Sequence, residues 1–276
     1  MTDSIDCYAV FGNPIKHSKS PQIHTLFARQ TDQPLVYTAE LAETGRFASA
    51  VKNFLGRNGK GLNVTVPFKE EAWKLADRHS KRARRAGAVN TLKLEADGRL
   101  YGDTTDGVGL VRDLVHNHHI DLAGKSILII GAGGAVRGVL EAILEQQPGS
   151  LVITNRTREK AVKLAKDFAA LGNVSACGLD EIGDAAFDIV INGTSASLKG
   201  DLPPLPDTIF KENSCSYDMM YGAEETPFMR WSADNGAAKV YDGLGMLVEQ
   251  AAESFYIWRG VKPETASVIK LIRHSL

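Results

Sequence analysis

Apolar and polar positions along the chain change period repeatedly, and each change predicts an element. Tyr8 to Phe11 reads as a short strand ending at Gly12-Asn13-Pro14. Ser20-Pro21 then predicts a helix start, with Ser20 as N-cap, Pro21 as first helical residue, and Ile23, Leu26 and Phe27 on one apolar side. Leu35 to Leu41 reads as a second strand and Phe47 to Leu55 as a helix. Leu62, Val64 and Val66 fall on one face of a third strand, with Asn63 and Thr65 on the other. Pro67 ends that strand, which puts Lys69 at its C-terminal edge. Ala88 to Leu92 and Arg99 to Gly102 read as strands joined by the turn Asp97-Gly98, before a helix over about 108–118.

The second half has a different pattern. Ile127 to Ile130 is an unbroken apolar run, as expected of a parallel strand buried on both faces. Gly131-Ala132-Gly133-Gly134-Ala135 follows at once, and then Val136, Val139, Leu140, Ile143 and Leu144 recur at helical spacing. Strand, glycine turn and helix open a dinucleotide-binding unit, in which backbone amides and the helix N-terminus receive a pyrophosphate. Strands at 151–154, 187–192, 214–221 and 239–242, with helices between them, predict one doubly wound domain. The fold class expected is therefore α/β with two domains. An N-terminal α/β domain over 1–106, completed by helices within 244–276, accompanies a Rossmann-like domain over 107–243.

Composition narrows the class. The chain has 276 residues, 43% hydrophobic and 24% charged, as in globular proteins with a sizeable core. A formal net charge of -1 gives no basic footprint for nucleic acid and no polybasic membrane signal. No apolar run approaches the roughly 20 residues that span a bilayer. Cys7, Cys177 and Cys215 are far apart, which predicts no metal site and suits a reducing, cytoplasmic setting.

Four places carry candidate chemistry. Ser18 and Ser20, with Lys16 and Lys19 near, form either a plain helix cap or an anion site. Asn63, Thr65 and Lys69 converge on one strand edge, where Lys69 is either a solvated charge or functional. Asp106 is either the N-cap of the helix that follows or a catalytic carboxylate. The strand at 151–154 ends in Asn155-Arg156-Thr157, with no acid for a ribose 2′-hydroxyl; Arg156 and Thr157 suit the 2′-phosphate of NADP instead. Gly124-Lys125-Ser126 only mimics a phosphate loop, since it precedes its strand.

Taken in order, several motifs form one constellation. They are Gly12-Asn-Pro-Ile-Lys-His-Ser18-Lys-Ser20-Pro21, Asn63-Val-Thr65-Val-Pro-Phe-Lys69, Gly87-Ala-Val-Asn90-Thr91 and Gly102-Asp-Thr-Thr-Asp106-Gly107. Further on come Gly131-Ala-Gly-Gly-Ala135, Asn155-Arg156-Thr157, Asn192-Gly-Thr194-Ser195, Tyr217-Asp-Met-Met-Tyr221 and Asp242-Gly243-Leu-Gly-Met246-Leu-Val-Glu-Gln250. Together these motifs resemble one family, the shikimate dehydrogenases; Thr25 and Thr104 depart from the family pattern, where Asn is common, and neither is assigned to chemistry.

The resemblance implies NADP-dependent reduction of 3-dehydroshikimate to shikimate. It assigns Ser18 and Ser20 to the substrate carboxylate. Asn63, Thr65, Asn90 and Gln250 would bind substrate hydroxyls or support the site, with Tyr221 nearby. Lys69 and Asp106 become the catalytic pair, Lys69 giving and recovering one proton per turnover while Asp106 orients it. Gly131, Ala132, Gly133, Gly134, Ala135, Asn155, Arg156, Thr157, Thr194, Ser195, Met219, Gly243 and Met246 would line the cofactor. Two other readings stand beside this one: a relative that also takes quinate or uses NAD, and a catalytically silent module that senses the metabolite or NADP. The expected partner is the small-molecule substrate, with no nucleic acid and no membrane, and a homodimer is left open.

Overall fold

A computed structural model describes residues 5–194, 196 and 201–276. The chain divides into two compact units, one of residues 1–109 with 248–275 and one of 110–247. Among the described residues no helix is long and apolar enough to cross a membrane.

The first unit holds a six-stranded mixed sheet. Its strands are β1 (Asp6–Gly12), β2 (Leu35–Leu41), β3 (Gly59–Val64), β4 (Arg78–His79), β5 (Thr91–Leu94) and β6 (Leu100–Asp103), in the order β2-β1-β3-β5-β6-β4. β1 pairs in parallel with β2 and β3, whereas β3–β5 and β5–β6 are antiparallel. Period-2 burial explains the cover on both faces. Ala9 and Phe11 enter a core with Phe47, Phe54, Leu62, Val64 and Phe68, while Tyr8 and Val10 pack with Tyr37 and Trp258 on the other side. The unit's helices are α1 (Ser20–Gln30), α2 (Phe47–Gly56), α3 (Lys69–Leu75), α4 (Lys81–Ala86) and α5 (Asp106–Arg112), the last of which runs on into the second unit.

This topology dictates where the loops meet. β1 and β3 run the same way, so the segments after Gly12 and Val64 leave the same sheet edge. β5 runs the other way with Thr91 opposite Asn63, which brings Asn90 to that edge. β6 returns with Asp103 opposite Thr91, so Thr104 to Asp106 emerge there too. Four segments of distant sequence thus converge.

The second unit holds a six-stranded, wholly parallel sheet. Its strands are β7 (Ser126–Ile130), β8 (Ser150–Asn155), β9 (Val174–Gly178), β10 (Phe187–Asn192), β11 (Phe210–Asp218) and β12 (Lys239–Asp242), in the order β12-β11-β10-β7-β8-β9. That is the doubly wound, Rossmann-like order, with its reversal between β7 and β10. Ile127 and Ile129 enter one core with Val136, Val139 and Ile153; Leu128 and Ile130 enter another with Val190 and Phe228. Both faces are covered, which is why the run of four apolar residues does not alternate. The connecting helices are α6 (Gly134–Glu145), α7 (Arg158–Phe168) and α8 (Pro227–Asp234).

Two terminal helices follow, α9 (Leu244–Arg259) and α10 (Ala266–His274). The part of α9 from Val248 onward belongs to the first unit, where Trp258 Nε1 donates to Leu92 O at 3.0 Å.

Three local expectations are corrected. The third strand ends at Val64, not Val66: the chain turns at Thr65 to Phe68, and Val66 is 56% exposed instead of sharing the buried face. The fifth strand starts at Thr91, because Val89 and Asn90 give their amides to Lys69 O and Asp103 O outside any ladder. The helix expected over about 108–118 runs as α5 and then widens into a π turn over Asp113–Asn117.

Candidate active site

Lys69 and Asp106 form the centre of the first unit's site. Lys69 is the first residue of α3, held by Phe68 N donating to Thr65 O and by Val89 N donating to Lys69 O. Its place is therefore a helix start and not the end of a strand. Asp106 opens α5, so it is the first helical residue and not the cap before it. Lys69 Nζ lies 2.5 Å from Asp106 Oδ2, with side-chain exposures of 16% and 8%. The pair is largely desolvated, so the two charges interact strongly.

Asn90 organises the surroundings. Its Nδ2 donates to Asp106 Oδ1 at 2.8 Å, to Thr105 Oγ1 at 2.9 Å and towards Gln250 Oε1 at 3.2 Å. Its Oδ1 accepts from Thr105 N at 2.9 Å and from Thr91 Oγ1 at 2.9 Å. Behind it stands Asn63, whose Nδ2 shares its two hydrogens among Asn90 O, Thr91 Oγ1 and Ser254 Oγ at 3.0–3.1 Å and whose Oδ1 accepts from the Tyr37 hydroxyl at 2.7 Å. Each of these side chains is buried, so each bond forms in a medium where an unmet donor would cost about 1–3 kcal/mol. The array is rigid by full satisfaction.

The Ser18 and Ser20 region differs from its expected form. α1 begins at Ser20 with Lys19 as N-cap, and no side chain caps it. Ser20 is thus helical rather than capping. Ser18 Oγ accepts from Ser20 N at 3.3 Å, which keeps the two hydroxyl residues together. Lys19 does not serve an anion here: its ammonium donates to Ser275 O at 2.8 Å, while Lys16 is exposed. Thr65 packs its methyl against Gly12, where any Cβ would collide with it, so the first and second motifs touch directly.

The second unit gathers its candidate residues at the C-terminal edge of the parallel sheet, where open α/β sheets bind ligands. Gly131 has φ +114 and turns the chain from β7 towards α6, with its N–H on Thr154 O at 2.7 Å. A Cβ at Gly133 or Gly134 would meet nothing within 4 Å, so the turn borders open space. No side chain caps α6, leaving its first-turn amides for a ligand. Thr194 is fixed by its N–H and hydroxyl, both donating to Asn192 Oδ1, and Asn192 in turn donates to Asp218 at 3.1 Å. Gly243 N donates to Met220 O at 2.9 Å, and the Gly243 Cα faces Met219 O too closely for a side chain. Met219 and Met246 are buried. Asn155 Nδ2 donates to Thr157 O, and the Thr157 hydroxyl does not cap α7. Arg156 is exposed and, among the described residues, without an ion pair. An uncapped helix start, an open glycine turn and a free guanidinium fit a dinucleotide carrying an extra phosphate. Ser195 lies outside the described residues. The Tyr221 phenol follows β11 and is pushed up by burial and by Asp242.

Comparison with known proteins gives the family. Family models match residues 10–92 (shikimate dehydrogenase substrate binding domain), 113–199 (shikimate / quinate 5-dehydrogenase) and 243–273 (shikimate 5′-dehydrogenase C-terminal domain). A relative from Cellvibrio japonicus, named shikimate dehydrogenase (NADP(+)), is 56% identical over 271 residues, covering 98% of either chain. The chain belongs to the shikimate dehydrogenase family. Among solved structures, an Ael1 enzyme from Pseudomonas putida matches with TM-score 0.91 and 46% identity, covering 96% of this chain and 97% of that one. A shikimate 5-dehydrogenase from Thermus thermophilus in complex with NADP(H) and shikimate matches with TM-score 0.87 and 32% identity over 99% of this chain and 100% of that one.

Against the family frame, the structure brings Lys69, Asn90, Asp106 and Gln250 into one network, with Asn63 as its inner support. Sequence reasoning missed Tyr37, Thr91, Thr105 and Ser254, which complete it. Ser254 follows Gln250 by one helical turn on the same face, and that spacing was a usable signal. Tyr37 carried none, because its partner Asn63 is 26 residues away.

Proposed function

We propose that this chain catalyses the reversible, NADP-dependent reduction of 3-dehydroshikimate to shikimate, a step of the shikimate pathway. The observation that carries the reading is the Lys69–Asp106 pair, fixed by Asn90 amid buried amides and hydroxyls. Interconverting a secondary alcohol and a ketone needs one group at the oxygen that can give and take back a proton. Lys69 fills that role. Asp106 faces it at hydrogen-bond distance, and Asn90 keeps the carboxylate from turning away.

Ser18 and Ser20 take the substrate carboxylate, and Thr65, Asn90 and Gln250 the substrate hydroxyls, with Asn63 supporting Asn90. Tyr221 belongs to the same reading. When bound, NADP exchanges hydride with the substrate carbon. The α6 amides and the 131–135 turn would receive its pyrophosphate, and Asn155, Arg156 and Thr157 its 2′-phosphate. Thr194, Met219, Gly243 and Met246 would line the remainder. The segments 1–106 with 244–276 then serve as substrate domain and 107–243 as cofactor domain. Three free thiols support a cytoplasmic setting.

Nicotinamide absorbance during incubation with shikimate, with NADP or NAD, and with quinate as second substrate, tests the reading. Fast NADP reduction by shikimate alone is expected. Comparable rates with quinate or NAD would indicate the broader relative, and tight NADP binding without turnover a silent module.

A further inference from the structure

Arg82 bonds to none of Lys69, Asn90, Asp106 or Gln250 in the bonds described above, and yet holds two of the segments that build the site. From α4, its Nε donates to Asp103 Oδ1 at 2.7 Å and its Nη2 to Asp103 Oδ2 at 2.9 Å, a two-point grip on one carboxylate. The same Nη2 reaches Glu253 Oε1 at 3.3 Å. The side chains of Asp103 and Glu253 are 5% and 13% exposed. Two desolvated carboxylates therefore share a single guanidinium.

Each carboxylate continues into the site. Asp103 ends β6, where its Oδ1 also accepts from Ser80 Oγ at 2.5 Å and Thr104 N at 2.7 Å, and its backbone oxygen accepts from Asn90 N at 3.1 Å. Three residues on stands Asp106. Glu253 lies three residues after Gln250 on α9, so the two are neighbours on the helix surface. Asp106 and Gln250 are both partners of the Asn90 amide.

We propose that Arg82 is a positioning residue, a clamp that sets the spacing between the Asp106 segment and the Gln250 segment so that Asn90 can serve both. This rests on the reading of Asp106, Asn90 and Gln250 as site residues. The planar fork is essential: an ammonium can hold one of the two carboxylates as a point charge, but it cannot grip Asp103 twice and reach Glu253 as well. Without the guanidinium, the contact that joins Asp103 to Glu253 is lost and the spacing of the two segments is no longer held.

The test compares wild type with Arg82→Lys and Glu253→Gln, measuring kcat and KM for shikimate, KM for NADP and thermal midpoint. Arg82→Lys is expected to lower kcat/KM for shikimate about tenfold, the scale of a small misplacement of reacting groups, with KM for NADP unchanged. Glu253→Gln is expected to change the same quantity in the same direction by less. Combined with Gln250→Ala, the Arg82→Lys loss should be smaller than the product of the single losses, because both act on one spacing. Multiplicative losses, or a lowered midpoint with unchanged kcat/KM, would overturn the clamp. A second measurement is independent of activity: the Asn90 and Gln250 side-chain amide signals of 15N-labelled protein should shift in either variant. Unmoved signals would refute the clamp, whereas shifted signals in an enzyme that does not turn over shikimate would indict the functional reading alone.

Discussion

Lys69 Nζ stands 2.5 Å from Asp106 Oδ2, while Asn90 Nδ2 occupies Asp106 Oδ1 at 2.8 Å. Both oxygens of the carboxylate are thereby committed to donors. Asp106→Asn keeps the shape but can satisfy only one of them as acceptor and turns a second donor towards the ammonium. We expect kcat to fall about 10²-fold, the low end for losing proton-transfer assistance. The Kd for NADP, read by fluorescence titration, should not change; an unaltered kcat would reduce Asp106 to a helix-start residue.

Arg156 is exposed at the end of β8 with no ion pair among the described residues. Charge-assisted bonds to a phosphate contribute about 1.5–3 kcal/mol. Arg156→Asp should therefore raise KM for NADP by about 10- to 100-fold and leave the rate with NAD equal or higher. Steady-state kinetics with both cofactors checks this.

His24 is fully buried, stacked on Tyr37 with ring centroids 4.2 Å apart, and among the described residues neither ring nitrogen meets a partner in hydrogen-bond geometry. Burial lowers its imidazole from 6.5 to about 3. The unfolded chain takes up a proton below pH 6.5 and the folded chain does not until about pH 3. The stability associated with neutral His24 is thus complete above 6.5 and declines as pH falls through that window, by about 1.4 kcal/mol per pH unit. Urea unfolding at pH 7.5 and 5.5 should show this difference in wild type, and His24→Phe should show a smaller one.

Asp113 lies in the π turn of the second unit and accepts from the buried Tyr217 hydroxyl at 2.6 Å and from Asn117 Nδ2 at 2.8 Å. Its carboxylate fills the space beside Gly245, where any Cβ would strike it. Gly245→Ala must therefore displace either Asp113 or the first turn of α9, which carries Met246. A lower thermal midpoint and a raised KM for NADP are expected. Tyr217→Phe, which only removes a donor from a buried carboxylate, should cost about 1–3 kcal/mol in urea unfolding.

Much of this was legible in the chain. Leu35 to Leu41 and Lys239 to Asp242 form strands with the bounds their patterns predict, and Asp97-Gly98 lies between β5 and β6 as expected of a hairpin. The turn at Gly131 and the two-faced burial of Ile127 to Ile130 follow from residue type alone. Local signals failed where tertiary contacts decide. Ser20 looks like a cap because Pro21 follows it, yet the chain before it folds so that Lys19 takes the cap position. Val66 continues an apolar alternation, yet Asn13 N draws Val66 O into a turn. β9 carries no local strand signal because its sequence, Val-Ser-Ala-Cys-Gly, has little apolar period, and its pairing with β8 supplies what the pattern lacks. The bonds between Asn63 and Ser254, and between Arg82 and Glu253, join residues 191 and 171 positions apart, beyond the reach of any local pattern.

Turnover by Lys69→Ala, with shikimate binding measured on the same preparation by calorimetry, decides whether Lys69 carries the proton. The expected kcat is at least about 10²-fold below wild type with shikimate still bound, because the proton carrier is gone while the serine, amide and hydroxyl contacts remain. Near-normal kcat with substrate bound would contradict it, and the proton would then have to travel through another group.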